Sequence, residues 1–184
     1  MQSYDQTILL YTPDNEEQEY LEESLHPLGE IPALKACGGL LYCVLSELIG
    51  NAVRANLKRV FFKKKDYNLS DPLSYREGLR AFIDNYKHIY RDGEYRQALR
   101  EENLKIKVVI KLDQERLLIF VENNAILLKQ EESRIRQKLA RAMSSDEIHL
   151  YTGTTDDEIE GRDLGFAIIV SSLKHMGFNP DYFR

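Results

Sequence analysis

The stretch 46-SELIGNAVRAN-56 governs how this chain is read. It lies within an apolar, helix-forming run from Ala33 to Leu57, yet it carries an acid, an amide and a guanidinium. Leu41, Leu45, Leu48, Ala52 and Ala55 step by 4, 3, 4 and 3, the spacing of one helix face. Glu47, Asn51, Arg54 and Lys58 step by 4, 3 and 4 along another face. The spacing predicts one helix with a buried apolar stripe and a separate polar stripe. An acid, an amide and a cation on one stripe suit a magnesium–triphosphate, because Mg²⁺ takes oxygen ligands and shares them with phosphate. An amphipathic helix with an ordinary solvated face carries the same residue types.

Bulk properties narrow the classes. The 184 residues suffice for one domain with a sizeable core. Twenty-five Lys and Arg against 30 Asp and Glu give a net charge of −5, which argues against a general nucleic-acid binder. No apolar run reaches the roughly 18 residues of a membrane span. The N-terminus lacks a basic n-region and turns acidic by Asp14, unlike a secretory signal. Cys37 and Cys43 sit among apolar neighbours without metal-ligand spacing, and read as reduced structural thiols of a cytoplasmic protein.

Working outward, 7-TILLY-11 reads as a strand and residues 14–24 as an acidic helix. The prolines and glycine of 26-HPLGEIP-32 predict a connector. Residues 59–103 hold 10 Lys or Arg, 8 Asp or Glu and eight of the 18 Phe and Tyr. Tyr75, Leu79, Phe82, Tyr86 and Ile89 predict a helix over 73–90, and another fits 92–101. The lysines 63-KKK-65 among these aromatics raise a nucleic-acid reading; core aromatics with solvated lysines is the plainer one. Leu104–Leu112 and Arg116–Glu122 predict a β-hairpin about 113-DQE-115. Residues 128–143 predict a helix with Leu128, Ile135, Leu139 and Ala142 inward. Residues 144–161 predict a polar loop, and 163–176 a last apolar helix.

Three blocks, 47-ELIGNAVRA-55, 119-IFVENNAIL-127 and 161-GRDLGFAIIVSSLKHMG-177, fall in the order of the ATP-binding motifs of the GHKL, or Bergerat-fold, superfamily. The chain resembles its histidine-kinase branch over residues 38–58 and 104–177. The resemblance implies an α/β sandwich with a mixed, mostly antiparallel sheet and helices on one face. It implies one domain over 1–184 with a helical insertion at about 59–103. It assigns Glu47 as catalytic base, Asn51 as the Mg²⁺ ligand and Arg54 as a phosphate-facing cation. Asn123 and Asn124 take the adenine position. Gly161, Leu164 and Gly165 take the phosphate cradle, and ATP with Mg²⁺ is the implied cofactor.

The chain departs from the family pattern where glycine matters. The second motif normally reads Asp-x-Gly-x-Gly, and here those positions hold Asn123, Ala125 and Leu127. Glycine reaches positive φ at little cost, whereas a side chain there is strained and can fill the pocket. In the third motif Asp163 replaces the middle glycine, which suits a helix cap but repels phosphate. Arg162 offsets part of that charge. Thr152, Thr154 and Thr155 lie in the segment that corresponds to the ATP lid. None of His26, His88, His149 and His175 stands in an acid-flanked phosphoacceptor box. The resemblance therefore implies a bacterial-type signalling protein with a degraded nucleotide site, a pseudokinase that is weak or inactive and needs a protein partner. A non-catalytic interaction module and an anti-sigma-type serine protein kinase are the alternatives.

Overall fold

In the computed structural model the described residues are 4–12, 15–31, 35, 38–113, 116–144, 164–175, 177–179, 181 and 183. The chain divides into two compact units, 1–125 and 126–184. The first contains strand β1 (Tyr4–Leu10), helices α1 (Asn15–Gly29), α2 (Gly38–Lys64), α3 (Pro72–Arg91) and α4 (Gly93–Glu101), and strands β2 (Ile106–Leu112) and β3 (Leu117–Asn123). The second contains α5 (Lys129–Ser144) and α6 (Leu164–His175). The class is α+β. Among the described residues every strand pairing is antiparallel, in the order β1-β2-β3.

Alternation along β2 sorts the two faces of the sheet. Ile106, Val108, Ile110 and Leu112 are buried, while Lys107 and Lys111 are exposed. Ile8 and Leu10 of β1 join the buried face, against which α1 and α2 pack. The opposite face carries Leu9, Leu118 and Phe120 in the open, with ion pairs Lys111–Asp5 at 3.6 Å and Lys107–Glu122 at 3.9 Å. The N-terminal strand thus forms one edge of the sheet and the hairpin the rest. Tyr4 ties that edge to α1 by donating to the Ser24 carbonyl, and Gln6 Nε2 donates to Ser24 Oγ at 2.7 Å.

Four expectations shift. Helix α1 runs through Pro27 to Gly29 where a connector was expected. Proline is poorly placed in a helix interior, but here it falls in the last turn. Leu21, Ser24 and Leu28 form a buried stripe that carries the helix past it. Helix α2 does not end at Leu57 but continues to Lys64. Its buried stripe is Leu45, Ile49, Val53, Asn56 and Val60, turned from the expected one, so that Leu41, Leu48 and Ala55 are only half-buried. In α5, Ala142 is buried as expected, but Ile135 is exposed and Leu128 and Leu139 are half-buried, while Glu131 is buried. Cys43 is a free thiol, as expected, but it is exposed rather than part of the core, and Cys37 lies outside the described residues.

The segment 59–103 builds a densely aromatic part of the first unit. Helix α2 ends in a Schellman motif in which Asp66 adopts φ 58°, with Tyr67 N–H donating to the Phe62 carbonyl at 2.9 Å. That turn lays Tyr67 back on Phe62 and Phe61, with ring centroids 5.6 and 6.1 Å away. Asp71 caps α3 by accepting from Ser74 N–H at 2.7 Å, and Pro72 opens the helix where its missing N–H costs nothing. Phe82 and Tyr75 of α3 close on Phe61 and Phe62 at 5.6 and 5.5 Å. Gly78 permits this approach, since a Cβ there would stand 2.7 Å from Tyr67 and 2.8 Å from Phe62. Asp92 ends α3 and caps α4 by accepting from Glu94 N–H at 2.8 Å.

Candidate functional site

The polar stripe of α2 divides into two pairs. Glu47 and Asn51 are half-buried one turn apart, and Asn51 Nδ2 donates to Glu47 Oε1 at 3.5 Å. A carboxylate can only accept, so the amide must present its nitrogen to Glu47. The Asn51 Oδ1 is left without a protein donor among the described residues. That oxygen is the atom a hard cation would use.

Arg54 and Lys58 are held differently. The Arg54 guanidinium lies 5.3 Å over the ring of Tyr86, and the Lys58 ammonium lies 5.8 Å over Tyr75 and 3.4 Å from its hydroxyl. Both tyrosines belong to α3. Burial raises the Tyr86 phenol above its ordinary value, and the neighbouring Arg54 charge opposes that rise. The sequence places Tyr86 on a helix face but gives no sign that it meets Arg54, because the contact joins distant parts of the chain. The cations of the stripe are thus engaged by the insertion, whereas the acid and amide engage each other.

At the end of β3, Asn123 pairs with Ile106 on the helix-covered face of the sheet, and its side chain is exposed. Glu122 projects from the other face towards Lys107, as strand alternation requires. Both ends of the Asn124 amide are bonded to backbone groups. Its Oδ1 accepts from Lys105 N–H at 2.8 Å, and its Nδ2 donates to the Asn103 carbonyl at 2.7 Å. Asn103 itself stands at φ 52°, a left-handed conformation that asparagine tolerates, and ends α4 in a Schellman motif. The amide of Asn124 therefore fastens the end of the hairpin to the α4–β2 connection.

The third block lies in the second unit. Gly161 falls outside the described residues, as do Arg162, Asp163 and the threonines at 152, 154 and 155. Leu164 opens α6 and Gly165 lies in its first turn. Two contacts define this unit locally. Glu131 reaches back to accept from Leu128 N–H at 3.1 Å, half of a capping box, and Lys174 Nζ donates to the Met143 carbonyl at 3.2 Å.

Two of the three lysines of 63-KKK-65 are drawn into local pairs. Lys63 pairs with Glu102, and Lys64 lies 3.4 Å from Glu94 and 4.9 Å over the ring of Tyr95. The aromatics around them are the packed core of the insertion, which favours the plainer reading of this segment. A different residue stands out: Asn56 is fully buried in α2, and neither end of its amide has a partner among the described residues. Its position between apolar residues of the helix conceals this in the sequence.

Among the described residues, no group of three His, Cys, Asp or Glu side chains forms a metal site, and no helix is long and apolar enough to cross a membrane. No family model matches the chain, and no solved structure matches it. A protein of Treponema pallidum (strain Nichols), described as uncharacterized, is 32% identical over 149 residues. The matched part is 79% of this chain and 28% of that protein, so the chain spans little more than a quarter of its relative's length.

Proposed function

We propose that this chain is a histidine-kinase-like domain whose α2 stripe retains the capacity to hold a magnesium nucleotide, and that it acts in signalling through a protein partner. The observation that carries the reading is the Glu47–Asn51 pair. The two side chains are half-buried and hydrogen-bonded at 3.5 Å, and an amide oxygen is left for a cation. Asn51 would hold Mg²⁺ and Glu47 would orient or deprotonate the attacking group. Bound Mg²⁺ would neutralise phosphate charge while sharing ligands with the nucleotide. Asn123, at the helix-covered end of β3, would accept from the adenine amine through its carbonyl oxygen.

The fit is uneven. The Asn124 amide already spends one acceptor site and one N–H on backbone groups. The arrangement favours binding over turnover, and a phosphoacceptor would come from a partner. Asn124 also supports a second reading, a module that has kept the scaffold and lost the ligand. Its amide fastens the end of the hairpin to the α4–β2 connection.

Calorimetric titration with ATP and ADP, each with and without Mg²⁺, tests the reading. Binding that strengthens with Mg²⁺ and disappears in Asn51→Ala is expected. A folded protein that gives no heat with millimolar nucleotide would leave the interaction module standing.

A further inference from the structure

The insertion returns to the helix that carries the candidate site through aromatic contacts on the polar stripe, and the one nearer the Glu47–Asn51 pair is at Arg54. Arg54 is exposed, and its partner among the described residues is Tyr86, whose ring lies 5.3 Å below its Cζ and whose hydroxyl it also engages. Tyr86 is itself fixed. Phe82 meets it edge-on at 5.5 Å and Tyr90 flanks it at 6.0 Å. A free arginine samples many rotamers, whereas one lying on a fixed ring is confined to few. A guanidinium that rests its face on an aromatic ring keeps in-plane N–H donors for a bidentate phosphate contact.

We propose that Tyr86 is a positioning residue: α3 holds Arg54 in place so that it meets the phosphates of a nucleotide seated on the Glu47–Asn51 stripe. This rests on the function proposed above and gives the 59–103 insertion a role in it. Helix α3 thereby sets how well the site takes a polyphosphate, from a position where it touches no nucleotide itself.

The test is MgATP affinity, measured by competition with a fluorescent nucleotide, in the wild type, Arg54→Ala, Tyr86→Leu, Tyr86→Phe and the Arg54→Ala/Tyr86→Leu double variant. Folding of each is checked by circular dichroism. Tyr86→Leu is expected to bind about three- to tenfold more weakly, from the loss of one cation–π contact. Tyr86→Phe keeps the ring face but loses the hydroxyl that Arg54 also engages, so its affinity is expected between those of the wild type and Tyr86→Leu. In the double variant, Tyr86→Leu adds nothing to the loss from Arg54→Ala. A merely structural tyrosine would lower stability and leave the affinity of the folded protein unchanged. Wild-type affinity in Tyr86→Leu, with binding lost in Arg54→Ala, overturns the positioning role and leaves the nucleotide site intact. No binding by the wild type overturns the nucleotide site and the positioning role with it. Should Tyr86→Leu fail to fold, the Arg54 Nε–H resonance of the wild type decides. An upfield, ring-shifted position that moves on adding MgATP supports the contact, and an unshifted or unresponsive one overturns it.

Discussion

Helix α2 is one element with two unlike halves. Before Ala52 only Leu45 and Ile49 are buried, and the polar pair Glu47–Asn51 is bonded to itself. From Ala52 onward Val53, Asn56, Leu57, Val60, Phe61 and Phe62 are buried, and even the charged residues Arg54, Lys58 and Lys64 lie against tyrosines of α3 and α4. The first half has groups free for chemistry and little packing to lose. The second half anchors a helical insertion, and Arg54, Lys58 and Lys64 have aromatic neighbours there while the buried amide of Asn56 has no partner among the described residues. Sequence spacing treats the two halves alike, and the difference comes from what folds against each.

The contrast is broken most strongly at Phe62. It is fully buried under Tyr67, Tyr75 and Gly78, so Phe62→Ala should cost about 3–5 kcal/mol, read as a lower urea midpoint. A loss below about 1 kcal/mol would mean that the aromatic cluster does not hold the insertion in place. A smaller loss is expected at the end of β3. Asn124→Ala removes two hydrogen bonds to backbone groups, one as acceptor and one as donor, and should cost about 1–2 kcal/mol on the same assay. No loss there would mean that this amide is available for other work.

Asn56 should behave in the opposite sense. A buried amide without partners carries an uncompensated desolvation cost, and leucine has a similar size. Asn56→Leu should therefore stabilise the protein by about 1 kcal/mol, with a rise in the thermal midpoint. Destabilisation would show that the amide is satisfied by a buried water or a ligand, and would extend the functional part of α2 into its second half.

Much of the fold is legible in the residues. Apolar steps of three and four give α2 and α3, an apolar run gives the last helix, and the alternation in 106-IKVVIKL-112 gives the central strand. The capping aspartates Asp71 and Asp92 stand at the starts of α3 and α4. What escapes has tertiary causes. Nothing near Pro27 indicates that burial of Leu28 will carry α1 onward. Two adjacent apolar stripes on α2 differ by one residue, and only the packed partners choose between them. Within the candidate site, the Glu47–Asn51 pairing follows from their one-turn spacing. The engagement of Asn124 depends on the left-handed Asn103, about twenty residues earlier in the chain, which no local pattern marks.

The most direct test is the thermal midpoint of the wild type and of Asn51→Ala, each recorded without nucleotide, with ATP and EDTA, and with MgATP. Without ligand the two should unfold within about 0.5 kcal/mol of each other, because Asn51 is only half-buried and its one bond is long. MgATP well above its dissociation constant should raise the wild-type midpoint, with about 2.7 kcal/mol of stabilisation at a hundredfold excess. The account predicts that rise in the wild type alone, and only with Mg²⁺ present. An equal rise in Asn51→Ala, or none in either protein, would contradict it.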